Sequence, residues 1–339
     1  MLSEIDNIRS KMLYLGNVEM HLPYEIEFPR NIAYGDGTFV VLGSKCGAVS
    51  KDAKRWTPVQ ASELPYSSST NMLAYGNGVF VVVDKYPEDI TTIAYYSYDG
   101  INWKFATCEA FNITDKIHVL GSCFDGEKFI CVVGEGASSK RAHVLVSFDG
   151  ASWSAPHNSD GVIELSNGFY SVEIARGAGR TVIVQSGSSR ALYSDDGITW
   201  VEFDLPISNP GSLVYGNNKF VLSHRDGALY SQDGLNWTAA IMPIDTNKFD
   251  RVWYGNGIFI MNLSQPLSGL DFFAGAARLR SYDGINWELL EYDGTLFIIR
   301  DMTHDGEKFV MINDDAGCRV HHTIDGSVET SDFYAICRD

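Results

Sequence analysis

Apolar residues in this chain come as short runs bounded by glycine-rich turns, and the pattern recurs. Seven times an aromatic or polar residue is followed by a tight Gly, Asn or Asp turn and then by an aliphatic run, led in six of the seven by Phe. The copies are Tyr34 to Gly43 (YGDGTFVVLG), Tyr75 to Val83 (YGNGVFVVV), Phe124 to Gly134 (FDGEKFICVVG), Arg176 to Gly187 (RGAGRTVIVQSG), Tyr215 to Ser223 (YGNNKFVLS), Tyr254 to Asn262 (YGNGIFIMN) and His304 to Asn313 (HDGEKFVMIN). Such turns suit the positive φ of a two-residue hairpin. The run that follows reads as a buried strand. No stretch inside the repeats sustains a 3.6-residue apolar period, so helices are expected to be few.

A second element follows each hairpin. Ser-x-Asp-Gly-x-x-Trp occurs at Ser97 to Trp103, Ser147 to Trp153, Ser194 to Trp200, Ser231 to Trp237 and Ser281 to Trp287. Two degenerate copies flank these: Ser50 to Trp56, with Ala53 for Gly, and Thr323 to Glu329, without Trp. Six of the seven tryptophans close a copy; only Trp253 does not. The aspartates (Asp52, Asp99, Asp149, Asp196, Asp233, Asp283 and Asp325) are spaced by about 45 residues, a spacing typical of propeller blades. Each unit reads as four strands: one ending at the aromatic, the aliphatic run, one entering the Asp-Gly turn, and one leaving it through Trp. The expectation is an all-β chain: a seven-bladed β-propeller of four-stranded antiparallel blades over residues 30–339, preceded by a short N-terminal extension, 1–29. An open solenoid is the rival. Ring closure is expected from the C-terminal strands, 320–323 and 328–334, lying beside the first repeat, with 24–28 able to add to them.

The Ser-x-Asp-Gly-x-x-Trp copies resemble Asp-box (BNR-type) repeats, and the resemblance covers nearly the whole chain after residue 30. The copies are one residue shorter between Asp and Trp than the usual box, as in propellers of phage and bacterial proteins. The resemblance implies a hairpin turn between the third and fourth strands of a blade. Its carboxylate would accept turn N–H groups, its Gly would take the special φ, and its Trp would pack between sheets. It further implies a structural or receptor-binding protein of a phage tail or tailocin, in a baseplate or tail fibre, contacting a bacterial surface or neighbouring subunits. The alternative on the same fold is a carbohydrate-binding lectin or a sialidase-like glycoside hydrolase.

Composition narrows this picture. The 339 residues carry a net charge of −17 and a sequence pI near 4.8. Without a basic block, a nucleic-acid partner is not expected. No run of 18 apolar residues exists, so no membrane insertion is expected. The first 30 residues contain Glu4, Asp6, Glu19 and Glu25 and no apolar core of a secretion signal. The expected location is a virion or phage-tail-like particle assembled in the bacterial cytoplasm. Cys46, Cys108, Cys123, Cys131, Cys318 and Cys337 form no CxxC pair and read as small buried residues, with a Cys318–Cys337 bridge conceivable.

The candidate catalytic residues of the sequence form no converging set. The Arg-Ile-Pro motif of sialidases is not matched by Phe28-Pro29-Arg30-Asn31-Ile32, and Arg141, Arg176, Arg190, Arg251 and Arg280 fall at scattered repeat phases. No nucleophile elbow, H-E-x-x-H or Walker loop is present. His321 and His322 are adjacent on an expected strand and point to opposite faces. The sequons at Asn112, Asn236 and Asn262 are weak. No catalytic, cofactor-binding or metal residues are assigned, and no cofactor is expected. Specificity is expected instead on the longer loops of blades two, three and six (84–92, 135–143 and 264–277, the last with Leu267, Leu270, Phe272 and Phe273). Residues 1–29 read as a tether or an added strand, Leu2, Ile5, Ile8, Met12 and Leu13 lying near helical spacing.

Overall fold

The computed structural model describes residues 30–43, 47–59, 71–84, 93–108, 117–136, 140–156, 161–166, 171–245, 249–263, 278–290, 299–313, 319–323 and 334–335. The elements among them are strands, with no helix. They assemble into seven four-stranded antiparallel sheets, numbered here as blades in chain order. Their first strands are Asn31–Gly35, Asn71–Gly76, Ile117–Phe124, Val172–Gly177, Pro210–Gly216, Phe249–Gly255 and Ile299–His304. Each first strand packs against the first strand of the next blade, and Ile299–His304 returns to Asn31–Gly35. The result is a closed β-propeller whose first strands form the inner wall.

The second strands are the most buried. Every residue of Thr38–Leu42 and of Val79–Val83 is buried. A strand covered by a neighbouring blade on both faces needs a continuous apolar run, not an alternating one. The core therefore lies in the seams. Ile32, Phe39 and Val41 of blade 1, for example, pack with Val310 and Ile312 of blade 7.

The hairpins between first and second strands take two forms. In blade 2, Asn77 (φ 50°) and Gly78 (φ 80°) make a two-residue turn with both φ positive, and the other turns of this kind use the same region. In blades 3 and 7 the sequence is Asp-Gly-Glu-Lys. There Asp125 Oδ1 accepts the N–H groups of Glu127 and Lys128 at 2.8 and 2.7 Å, and Asp305 does the same for Glu307 and Lys308.

Three devices lock one blade to the next. Gly35 ends the first strand of blade 1 under the ring of Tyr75; a Cβ there would lie 2.0 Å from that ring. Gly76 under Phe124, Gly177 under Tyr215, Gly216 under Tyr254 and Gly255 under His304 repeat the arrangement. Between blades 3 and 4, Asp125 takes the glycine's place and Arg176 the aromatic's, 3.6 Å apart as an ion pair. The second device is an amide staple. Asn77 Nδ2 donates to the carbonyls of Glu127 and Phe148 in blade 3 at 2.7 and 2.8 Å. Asn217 does the same to Gly257 and Tyr282 of blade 6. The third is cationic: Arg180 of blade 4 donates to the Asp233 carbonyl, and Lys308 of blade 7 to that of Asp52.

Two expectations need correction. In blade 3 the segment leaving the Asp-Gly turn does not become the fourth strand. Ser152–Trp153 pairs in parallel with Thr107–Cys108 of blade 2, and Val162–Glu164 supplies the fourth strand instead. Pro156, which has no N–H to donate, follows soon after the Trp and stops pairing there. Nor is the ring closed by C-terminal strands laid beside the first repeat. Arg319–Thr323 and Tyr334–Ala335 are the third and fourth strands of blade 7, and the seam to blade 1 is made by Ile299–His304. Residues 1–29 and most of 328–334 lie outside the described residues.

Candidate functional site

The Asp-Gly turns are the most regular polar feature, so their chemistry decides what remains for function. In the second copy, Asp99 Oδ1 accepts the N–H groups of Ile101 and Asn102, both at 2.8 Å, and the Ser97 hydroxyl at 2.9 Å; Oδ2 accepts the Asn102 side-chain amide at 2.7 Å. Ser97 Oγ in turn accepts the Gly100 N–H. Gly100 sits at φ 76°, and a Cβ there would also strike Val40 of blade 1. The copies at Asp52, Asp149, Asp196, Asp233 and Asp283 repeat the two backbone bonds. Burial alone would raise the Asp99 carboxyl, but these donors outweigh it and hold the group at about 2; Asp283 behaves likewise. The N–H groups of Thr199 and Ile198 hold Asp196 at about 2. Each carboxylate is thus consumed by its own turn.

The Trp closing each copy packs against the preceding blade. Trp103 of blade 2 lies with Ala33, Val40 and Val49 of blade 1. Its indole N–H donates to the Gly100 carbonyl at 3.0 Å, as Trp56, Trp153 and Trp237 do to their own turns. The copies are not equivalent. Trp153 is 1 % exposed, whereas Trp200 and Trp237 are half-buried. The copy at Asp325 lies outside the described residues.

One inner-wall position, three residues before Tyr34, Tyr75, Phe124, Arg176, Tyr215, Tyr254 and His304, is polar in five of the seven blades; in chain order it holds Asn31, Met72, Gly121, Glu173, Ser212, Arg251 and Asp301. Three of them receive an N–H from the following blade. Glu173 accepts that of Leu213, Ser212 Oγ that of Val252 at 2.7 Å, and Asp301 Oδ2 that of Ile32 at 3.0 Å. Asp301 Oδ1 also accepts the Met302 N–H and the indole of Trp253. That accounts for the tryptophan outside the repeats: Trp253, Asp301 and Ile32 tie blades 6, 7 and 1 together where the ring closes. Glu173 and Asp301 keep some surface open to the channel, yet protein crowds them. Burial raises both carboxyls, against the pull of Arg251.

The arginines singled out in the sequence do not converge. Arg176 pairs with Asp125, Arg190 with Glu202, Arg280 with Glu288 and Arg141 with Glu135. Only Arg251 lies in the inner wall, beside Glu173 and Asp301. His321 and His322 stand opposite Met311 and Val310 on one strand. Asn236 binds Asp233 through its side chain, and buried Asn262 accepts the Arg251 N–H, so neither is a free sequon. Asn112 lies outside the described residues. Cys131 is buried and Cys108 and Cys123 are half-buried, and burial pushes the Cys123 and Cys131 thiols up. Cys46, Cys318 and Cys337 lie outside the described residues, as do 85–92, 137–139 and 264–277, the greater part of the three long loops. Among the described residues no group of three or more His, Cys, Asp or Glu could hold a metal ion, and no helix is long and apolar enough to cross a membrane.

No protein-family model and no curated protein matches the sequence. Solved structures do. Virginiamycin B lyase from Staphylococcus aureus superposes with a TM-score of 0.63 at 12% identity, covering 86% of this chain and 94% of its own. YCF48, solved bound to a D1 peptide, gives 0.59 at 11%, covering 85% and 89%. A putative 6-phosphogluconolactonase from Bacteroides fragilis gives 0.58 at 11%, covering 94% and 98%. At these identities the likeness establishes the β-propeller fold and nothing finer.

Proposed function

We propose that this seven-bladed ring is a non-catalytic binding and assembly protein, a structural or receptor-binding component of a phage tail or tailocin. One observation carries the reading: the repeated carboxylates are spent on backbone N–H groups. The described box aspartates close their own turns, and Glu173 and Asp301, the two carboxylates beside Arg251, accept N–H groups of the next blade. The resemblance of the short Asp-Gly boxes to those of phage and bacterial propellers supports the particle as the setting. Its subunits and a host-surface glycan or protein are then the partners, without nucleic acid or membrane insertion. The likeness to YCF48 bound to a peptide is compatible with partner binding on this fold, while the likeness to a lyase shows that the fold alone does not decide.

The test has two arms. Particles from induced producing cells are fractionated on a density gradient and probed for this chain, and purified protein is screened against fluorogenic sialosides and glycosides. Co-sedimentation without turnover is the expected result. Turnover of any substrate, or a chain that stays at the top of the gradient, overturns the proposal.

A further inference from the structure

The seams open toward the Asp-Gly face are not equally closed. At the blade 2–3 and 5–6 seams, Asn77 and Asn217 each donate one side-chain amide to two carbonyls of the next blade. The corresponding residue of blade 1 is Asp36, in the same positive-φ conformation (φ 46°). Its counterpart carbonyls are those of Gly78 and Tyr98. A carboxylate has no N–H to give them, so the staple cannot form. At this seam a groove of about 430 Å³ opens, lined by Asp36, Lys51, Arg55, Tyr98 and Ile101 among others. That volume is within the range of small-molecule sites, roughly 300–1,000 Å³.

The lining is amphipathic in a specific way. Tyr98 is 61% exposed and is braced edge-on by Tyr96, ring centroids 5.7 Å apart. Ile101 adds an exposed aliphatic surface beside it. Asp36 is an acceptor not committed to a turn, and its charge, after burial, holds the Tyr75 hydroxyl above its ordinary value. The Arg55 side chain, 91% exposed though paired with Asp52, supplies donors. A rigid aromatic face beside an acceptor and a donor matches a neutral pyranose, which offers an apolar C–H face and a rim of hydroxyls. We infer that the groove between blades 1 and 2 is a saccharide-binding site, with Tyr98 as the platform and Asp36 as the hydroxyl acceptor. This deepens the proposed function by naming the glycan site of the binding protein.

The closing experiment uses the full chain and methyl glycosides of glucose, galactose, mannose and N-acetylglucosamine, read by saturation-transfer NMR and ranked on a glycan array. Wild type binds at least one of them. Tyr98→Ala removes the platform. Asp36→Asn restores the staple seen at Asn77 and Asn217, closes the groove, and melts at or above the wild-type temperature. Each weakens binding by roughly tenfold or more. Phe148→Ala, equally exposed but on a stapled seam, leaves binding unchanged. No saccharide binding up to about 10 mM, a free energy too small for recognition, overturns the inference. So does an Asp36→Asn variant that binds like wild type, or equal loss in Phe148→Ala. Hydrolysis of a bound glycoside would defeat the non-catalytic reading and leave the groove standing; absence of both binding and turnover would defeat only the groove.

Discussion

Carboxylates do the same job at the two edges of a blade and titrate in opposite directions. On the outer turns, Asp99 and its counterparts accept two N–H groups each in wet surroundings, and the bonds win over burial. On the inner wall, Glu173 and Asp301 also accept neighbouring N–H groups, but burial wins. Access to water, not the number of bonds, sets the sign. The outer group stabilises its own turn, within one blade. The inner group ties one blade to the next, and the cost of keeping a charge there is offset by ring closure.

Acid separates the two rings and is the largest effect expected. A box aspartate held at about 2 contributes fully above its unfolded value near 4 and loses that contribution as pH falls through about 2. Glu173 and Asp301, raised on folding, detract at neutral pH, and the penalty is relieved as pH falls through their folded values toward the unfolded one. Calorimetry is expected to show a shallow rise in Tm on mild acidification, then a steep loss between about pH 4 and pH 2. A Tm that is flat across the lower interval would show that the turn bonds do not depend on ionisation.

The second largest effect lies with the outer turn's tryptophan. Trp153→Ala empties a fully buried site in the seam between blades 2 and 3 and is expected to cost about 3–5 kcal/mol in denaturant unfolding. Trp237→Ala, at a half-buried copy whose indole makes the same bond to its turn, is expected to cost about half as much. Equal losses would mean that the indole's bond to its turn, rather than packing, carries the weight.

These two edges were unequally legible. The outer turn is written in residue types with one use at one spacing: Ser, Asp and Gly close a turn, and Trp packs. Any copy announces itself. The inner position is occupied in turn by Asn, Met, Gly, Glu, Ser, Arg and Asp, and its role exists only once the next blade is in place. Aligning the repeats on Tyr34, Tyr254 and His304 exposes that position, but not which N–H it will meet. Trp253 was visible as an exception and unexplained until Asp301 came within 3.3 Å. The groove was hidden for the same reason: Asp36 differs from Asn77 by one atom type in similar turns, and only the facing carbonyls of blade 2 make that difference matter. The loops of blades two, three and six drew attention by length, while the seam that opens is bounded by a two-residue turn, Asp36-Gly37.

Asp301→Ala comes next. It leaves the Ile32 and Met302 N–H groups and the Trp253 indole without their acceptor, and each unsatisfied buried donor costs about 1–3 kcal/mol. With partial relaxation the expected loss is about 3 kcal/mol. Asp99→Ala, whose orphaned donors reach water, is expected to lose only about 1 kcal/mol. If the two losses proved equal, solvent access would not be what distinguishes the rings.

The smallest effect tests the comparison most finely. Glu173→Gln retains an oxygen to accept the Leu213 N–H and removes the buried charge. Two terms then oppose each other: relief of the desolvation penalty stabilises the fold, and loss of attraction to Arg251 destabilises it. Replacing one partner of a buried pair often costs several kcal/mol because it strands the other charge, but Arg251 keeps Asp301 beside it. The net change is therefore expected to stay within about 1 kcal/mol of wild type at pH 7. What should change is the slope. Without Glu173 the shallow rise in Tm on mild acidification shrinks, while the steep loss below about pH 4, which belongs to the outer turns, is unaltered. A variant that kept the full rise would place its origin elsewhere in the chain; one that lost several kcal/mol would show that Glu173 is needed as a charge, and that the inner wall is held by ion pairing with Arg251 rather than by hydrogen bonds to the next blade.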